Sequence, residues 1–134
     1  MHPVLERILA TRRVSNAGGD ERPLQAAMDR QELALIDKVV DAVKPAAGLE
    51  IGLAYGISAL CALGAMTRYR PQPSYTIIDP HQTNGPWEGI GVRHLQEAGF
   101  GSLYRLIEKG SEQALPELCA AGLRVDFAIV DGWH

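Results

Sequence analysis

At 134 residues, 46% of them hydrophobic, the chain has the size of one ordinary domain and enough apolar content to bury a core. A formal net charge of -3 gives no basic field to draw a polyanion, so nucleic acid is set aside and a small molecule becomes the default ligand. Cys61 and Cys119 form no C-x-x-C pair and have no histidine crowd around them, so buried thiols are expected rather than a disulfide or zinc site.

Residues 1–22 mix apolar Val4, Leu5, Ile8 and Leu9 with Arg12, Arg13, Ser15, Asn16, Gly18 and Gly19, which predicts a short helix and then a loose loop, an arm or lid. Glu6 and Arg7 interrupt the run that a signal peptide needs, and no later run approaches membrane-spanning length. No membrane partner and a cytoplasmic location are therefore expected. Over 24–43, Leu33, Ile36, Val39, Val40 and Val43 recur on one stripe, predicting an amphipathic helix that Pro45 ends. Met28, Gln31 and Glu32 are possible substrate-lining residues on its first turns.

Four short apolar or β-branched runs follow, at 49–53, 75–78, 104–107 and 125–130. Helical or turn-rich segments at 58–66, 88–98 and 111–121 separate them. Such alternation predicts an α/β fold, a Rossmann-like doubly wound parallel sheet with right-handed crossovers, as a single domain with its core over 23–134. The uninterrupted apolar run Phe127-Ala128-Ile129-Val130 suggests a strand covered on both faces.

The chemistry starts at the end of the first run, where Glu50-Ile51-Gly52-Leu53-Ala54-Tyr55-Gly56-Ile57-Ser58 reads as a strand turning through a glycine loop into a helix. Gly52 and Gly56 allow a tight turn and a close ligand approach, and Ala54 between them is the next smallest residue. Ser58 and the first helical N–H groups are suited to a carboxylate. Two glycines four apart with an acid before the first depart from the G-x-G-x-x-G dinucleotide fingerprint. That spacing favours S-adenosylmethionine (SAM) over NAD. Asp79, ending the second run before Pro80, is placed either to accept from ribose hydroxyls or to cap a turn. Ser111 could touch an adenine ring or serve as a plain N-cap. Asp131, Trp133 and His134 stand together as an acid, an aromatic plane and an imidazole, able to hold a metal, stack a base and move a proton, or else to serve as a turn cap, a core aromatic and a frayed terminus. Trp87 lies in a turn-rich loop that would overhang the pocket, whereas His94 reads as a solvated helix-face residue.

Together, 50–58, 78–80, 110–116 and 125–134 resemble class I SAM-dependent methyltransferases, especially small-molecule O-methyltransferases of the catechol and macrocin types. The resemblance implies the N-terminal half of that fold: about four strands in the order 3-2-1-4, and hence a partial domain. It implies that Gly52, Ala54, Tyr55 and Gly56 line the methionine part, with Glu50 before them, that Ser58 holds its carboxylate and that Asp79 binds ribose. Ser111, Glu112 and Trp133 would meet the adenine. Asp131 matches a magnesium ligand, and His134 stands where catechol-type enzymes have a lysine base. The implied activity is methyl transfer from SAM to a hydroxyl of a small molecule, with a divalent cation such as Mg as a further expectation. The alternative is a non-catalytic SAM-binding or interaction module; an NAD-dependent oxidoreductase fits the spacing poorly. With the fourth strand exposed as an apolar edge, either a missing C-terminal half or a homo-oligomer is expected to cover it.

Overall fold

The structure, a computed structural model, describes residues 1–25 and 27–132. Pro3 opens helix α1 (Pro3–Thr11), where its missing N–H goes unneeded, and the His2 ring accepts from the Val4 N–H at 3.1 Å. Arg12 then turns left-handed at φ 55° and ends the helix. In place of the expected loose loop comes an antiparallel hairpin, β1 (Arg13–Ser15) and β2 (Glu21–Pro23). Asn16 organises its turn by accepting from the Asp20 N–H at 3.0 Å. Val4, Leu5, Ile8, Leu9 and Val14 from these elements are buried in the main core.

Helix α2 (Arg30–Val43) starts six residues later than the apolar pattern suggests. Asp29 accepts from the N–H groups of Gln31 and Glu32, each at 2.9 Å, while the Glu32 carboxylate accepts from the Asp29 N–H at 2.8 Å. This reciprocal capping box fixes the boundary and engages Glu32. Leu33, Ile36 and Val40 are buried as expected, but Val39 and Val43 are exposed. They line up with exposed Leu35 at intervals of four, on a second stripe turned away from the core.

Four strands, β3 (Ala47–Ile51), β4 (Ser74–Ile78), β5 (Tyr104–Ile107) and β6 (Phe127–Val130), form one parallel sheet in the order β5-β4-β3-β6. Counted within the sheet this is the expected 3-2-1-4. Helices α3 (Ile57–Met66), α4 (Ile90–Glu97) and α5 (Ser111–Ala120) provide the crossovers. The chain walks from β3 out to β5 and then jumps back past β3 to β6, so the winding reverses at β3. Crevices at such reversals, beyond the strands' carboxyl ends, are where open α/β sheets bind ligands. Tyr75, Ile77 and Ile129 join α1 to α4 in the larger core, and α3 is buried at every position except Gly64. Leu49 and Ile78 meet Ala114 and Leu118 of α5 in a smaller core.

Strand β6 is not covered on both faces. At this sheet edge Ile129 is buried and Phe127 half-buried, while Ala128 and Val130, on the opposite face, are exposed. Asp126 fastens its start to β3 by accepting from the Ala46 and Ala47 N–H groups at 3.1 and 3.0 Å. Cys61 is buried as expected, but Cys119 is exposed, one position past the inward-facing Leu118. Among the described residues no helix is long and apolar enough to cross a membrane.

Candidate functional site

Left-handed φ angles alternate through the loop between β3 and α3: 91° at Gly52, 49° at Ala54 and 83° at Gly56. A Cβ on Gly52 would lie 2.6 Å from the Asp131 carbonyl oxygen and 2.9 Å from Gly132 Cα. The segment after β6 is thus seated directly against the loop, at the reversal point of the sheet. Asp79, leaving β4 beside them, is buried. Its Oδ2 accepts from the Leu53 and Ala54 N–H groups at 3.1 Å each and from Gln82 Nε2 at 3.3 Å, and its Oδ1 accepts from the His81 N–H at 3.0 Å. Oδ1 thus carries one protein donor against three on Oδ2. The turn-capping reading of Asp79 is met at the His81 N–H.

Glu50 lies beneath the loop with no exposed surface. The Ser58 hydroxyl on the first turn of α3 donates to one oxygen, and the Tyr75 hydroxyl donates to the other at 2.9 Å. Burial pushes the Glu50 carboxyl up to about 7, the two hydroxyl donors oppose this, and the charges of Asp131 and Asp79 add to it. Near neutral pH, Glu50 is poised between its two forms. When protonated it can donate to Ser58, and the Ser58 hydroxyl hydrogen is then free for an incoming acceptor.

Sequence reasoning missed three residues that hold the loop from the α4 side. Gln82, fully buried, donates from Nε2 to the Ala54 carbonyl at 2.9 Å and accepts at Oε1 from the Val92 N–H at 3.2 Å. His94, expected in solvent, is buried, with Nδ1 2.6 Å from the Tyr55 carbonyl oxygen. Gly91 is the point of closest approach, since a Cβ there would sit 2.5 Å from the Ala54 carbonyl oxygen. A glycine inside a helical segment was the one signal available in the sequence for that approach. Trp87 stacks edge-on against Tyr55, ring centroids 5.1 Å apart, which anchors the overhanging loop by packing.

Ser111 is the first residue of α5, half-buried, and Gly110 rather than Ser111 takes the cap position; Glu112 beside it is exposed. Asp131 follows β6, exposed, its N–H bonded to the Ile51 carbonyl at 3.0 Å. Trp133 and His134, assigned above to adenine and to proton transfer, lie outside the described residues. Among the described residues no group of three His, Cys, Asp or Glu side chains is gathered as a metal site, so around Asp131 the present donor set does not by itself make one. The structure thus brings together the 52–56 loop, Asp79 and the Asp131 backbone, with Glu50 and Ser58 directly beneath.

The family described as "Methyltransferase domain" matches residues 49–134. No curated protein matches the chain. Among solved structures, an O-methyltransferase from Bacillus cereus in complex with SAH superposes with a TM-score of 0.72 at 15% identity, over 96% of this chain and 54% of that one. A cofactor-bound protein from MTB gives 0.71 at 21% identity, over 97% and 53%. The O-methyltransferase TomG from Streptomyces achromogenes, involved in tomaymycin synthesis and in complex with SAM, gives 0.67 at 21%, over 78% and 45%. At these identities the likeness is one of fold, and the chain spans about half the length of these solved relatives.

Proposed function

Because the chain belongs to the methyltransferase-domain family, we propose that it serves SAM-dependent transfer of a methyl group to a hydroxyl of a small molecule. One observation carries the reading: at the winding reversal, a glycine loop is tied to the buried acid Asp79 and meets the segment bearing Asp131. In this proposal Gly52, Ala54, Tyr55 and Gly56 line the methionine portion, and Ser58, with the first N–H groups of α3, holds its carboxylate. Asp79 receives a ribose hydroxyl at Oδ1. Ser111, Glu112 and Trp133 face the adenine.

Bound SAM supplies an electrophilic methyl group on a sulfonium. The chain's own residues hold the acceptor hydroxyl in line with it and take its proton; positioning and stabilisation of the developing oxyanion supply most of the rate gain in such a site. Asp131 orients the hydroxyl, and His134 accepts the proton. A divalent cation at Asp131 is a separate part of the proposal, tested by turnover measured with and without added Mg. Cytoplasmic location is likewise proposed, and cell fractionation checks it.

Calorimetric titration with S-adenosylhomocysteine (SAH) and with NAD decides the cofactor. NAD binding without SAH binding would sink the reading. The chain's half-length relation to its solved relatives also favours a second reading, a non-catalytic SAM-binding module. SAH binding with no methyl transfer to any hydroxyl acceptor would establish that one. For the exposed β6 edge we propose cover by further strands of the same fold or by a second copy; sedimentation of the 134-residue chain as a stable monomer excludes the second copy.

A further inference from the structure

Ala54 occupies a left-handed conformation that a non-glycine residue adopts only when its surroundings over-determine it. A flip of either peptide plane beside Tyr55 would have to break a hydrogen bond to a buried side chain. Gln82 holds the Ala54 carbonyl at 2.9 Å and His94 holds the Tyr55 carbonyl at 2.6 Å, both from the α4 side. In a trans peptide the N–H points opposite to the C=O, so fixing the Ala54 carbonyl towards Gln82 turns the Tyr55 N–H to the other side of the loop.

His94 can do this only as a donor at Nδ1, and its surroundings select that tautomer. Burial is the main influence keeping the ring neutral. The Tyr55 hydrogen bond and Glu97 oppose it, and the charges of Arg7 and Arg93 assist it. The ring also lines a cavity of about 150 Å³ together with Arg7, Ser15, Arg93 and Glu97. The Tyr55 carbonyl oxygen can only accept, so the 2.6 Å contact at Nδ1 itself places the ring hydrogen there.

We infer that His94 and Gln82 are positioning residues that lock consecutive carbonyls of the 52–56 loop and so set its peptide planes for the cofactor. The inference deepens the proposed function and rests on it for the identity of the ligand. It is tested with His94→Leu, which fills the site without a donor, and His94→Asn, whose amide nitrogen stands in for Nδ1. The readouts are SAH affinity and hydrogen exchange of the Leu53, Ala54 and Gly56 amides. His94→Leu is expected to weaken SAH binding about tenfold and to speed exchange of the three amides about tenfold, with α3 amides unchanged. His94→Asn is expected to restore both.

Wild-type affinity and exchange in His94→Leu, or equal impairment of the Leu and Asn variants, overturns the inference. If wild type binds no SAH, the cofactor reading fails, and the exchange data alone decide whether His94 holds the loop. Should His94→Leu not fold, Gln82→Met is read in its place at the Ala54 carbonyl: weaker SAH binding and faster exchange of the same amides with α3 unchanged support the inference, and wild-type values overturn it.

Discussion

Replacing Glu50 by glutamine should change not only the stability of the protein but its dependence on pH. In the folded chain the Glu50 carboxyl is raised from 4.5 to about 7, chiefly by complete burial. In the unfolded chain it titrates near the ordinary value. Between these values the native state holds a proton that the unfolded state has released. Stability from this group therefore falls as pH rises from about 4.5 to about 7, and levels off above. At about 1.4 kcal/mol per pH unit, the fall is about 3 kcal/mol. Glutamine presents one donor and one acceptor to Ser58 and Tyr75, as protonated Glu50 does, but cannot ionise. Urea unfolding of wild type and Glu50→Gln at pH 5, 6, 7 and 8 is the assay. The difference between the two should grow by about 3 kcal/mol in favour of the variant across that span. Titrating groups that do not interact with Glu50, His94 among them, cancel in the difference. Parallel curves would refute the assignment of Glu50 as a buried acid that ionises near neutrality.

Three further outcomes follow from the same geometry. Gly91→Ala should destabilise the protein, although alanine in an ordinary helix interior gains about 1 kcal/mol over glycine, because its Cβ would meet the Ala54 carbonyl oxygen at 2.5 Å; a raised melting temperature would contradict the close approach. If protonated Glu50 frees the Ser58 hydroxyl for a cofactor carboxylate, SAH affinity should fall as pH rises through about 7 in wild type and stay level in Glu50→Gln; calorimetry at pH 6 and 8 reads this, and a level wild-type profile removes the relay. Asp131→Ala, at an exposed position, should leave the melting temperature within about 1 °C while lowering methyl transfer at least tenfold; unchanged turnover would remove Asp131 from the reaction.

The sheet was legible because its strands are short β-branched runs separated by helix-length segments, a pattern that few other folds produce. Run 104–107 coincides with β5, and the order of strands agrees with the resemblance. The start of α2 was also legible, through Asp29 and Glu32 at capping-box spacing, but apolar periodicity hid it. The hairpin at 13–23 escaped because three-residue strands leave no alternation to read, although the Gly18-Gly19 turn marked it. His94 and Gln82 could not be placed from sequence. Their partners are backbone carbonyls 39 and 28 residues away, and a carbonyl carries no residue-type signal. The same holds for Gly52, whose neighbour is the main chain of Asp131, 79 residues on.

That last distance bears on how the protein comes to exist. During synthesis β3 can pair with β4, and β4 with β5, while β3 keeps one flank bare until residues 127–130 have emerged. Strand pairing over so long an interval is the slow part of such a fold. Gly52 has nothing to close against before Asp131 arrives, so the 52–56 loop, though made first, is finished last. A chain arrested before residue 127 would carry every glycine of that loop and still lack one wall of the crevice.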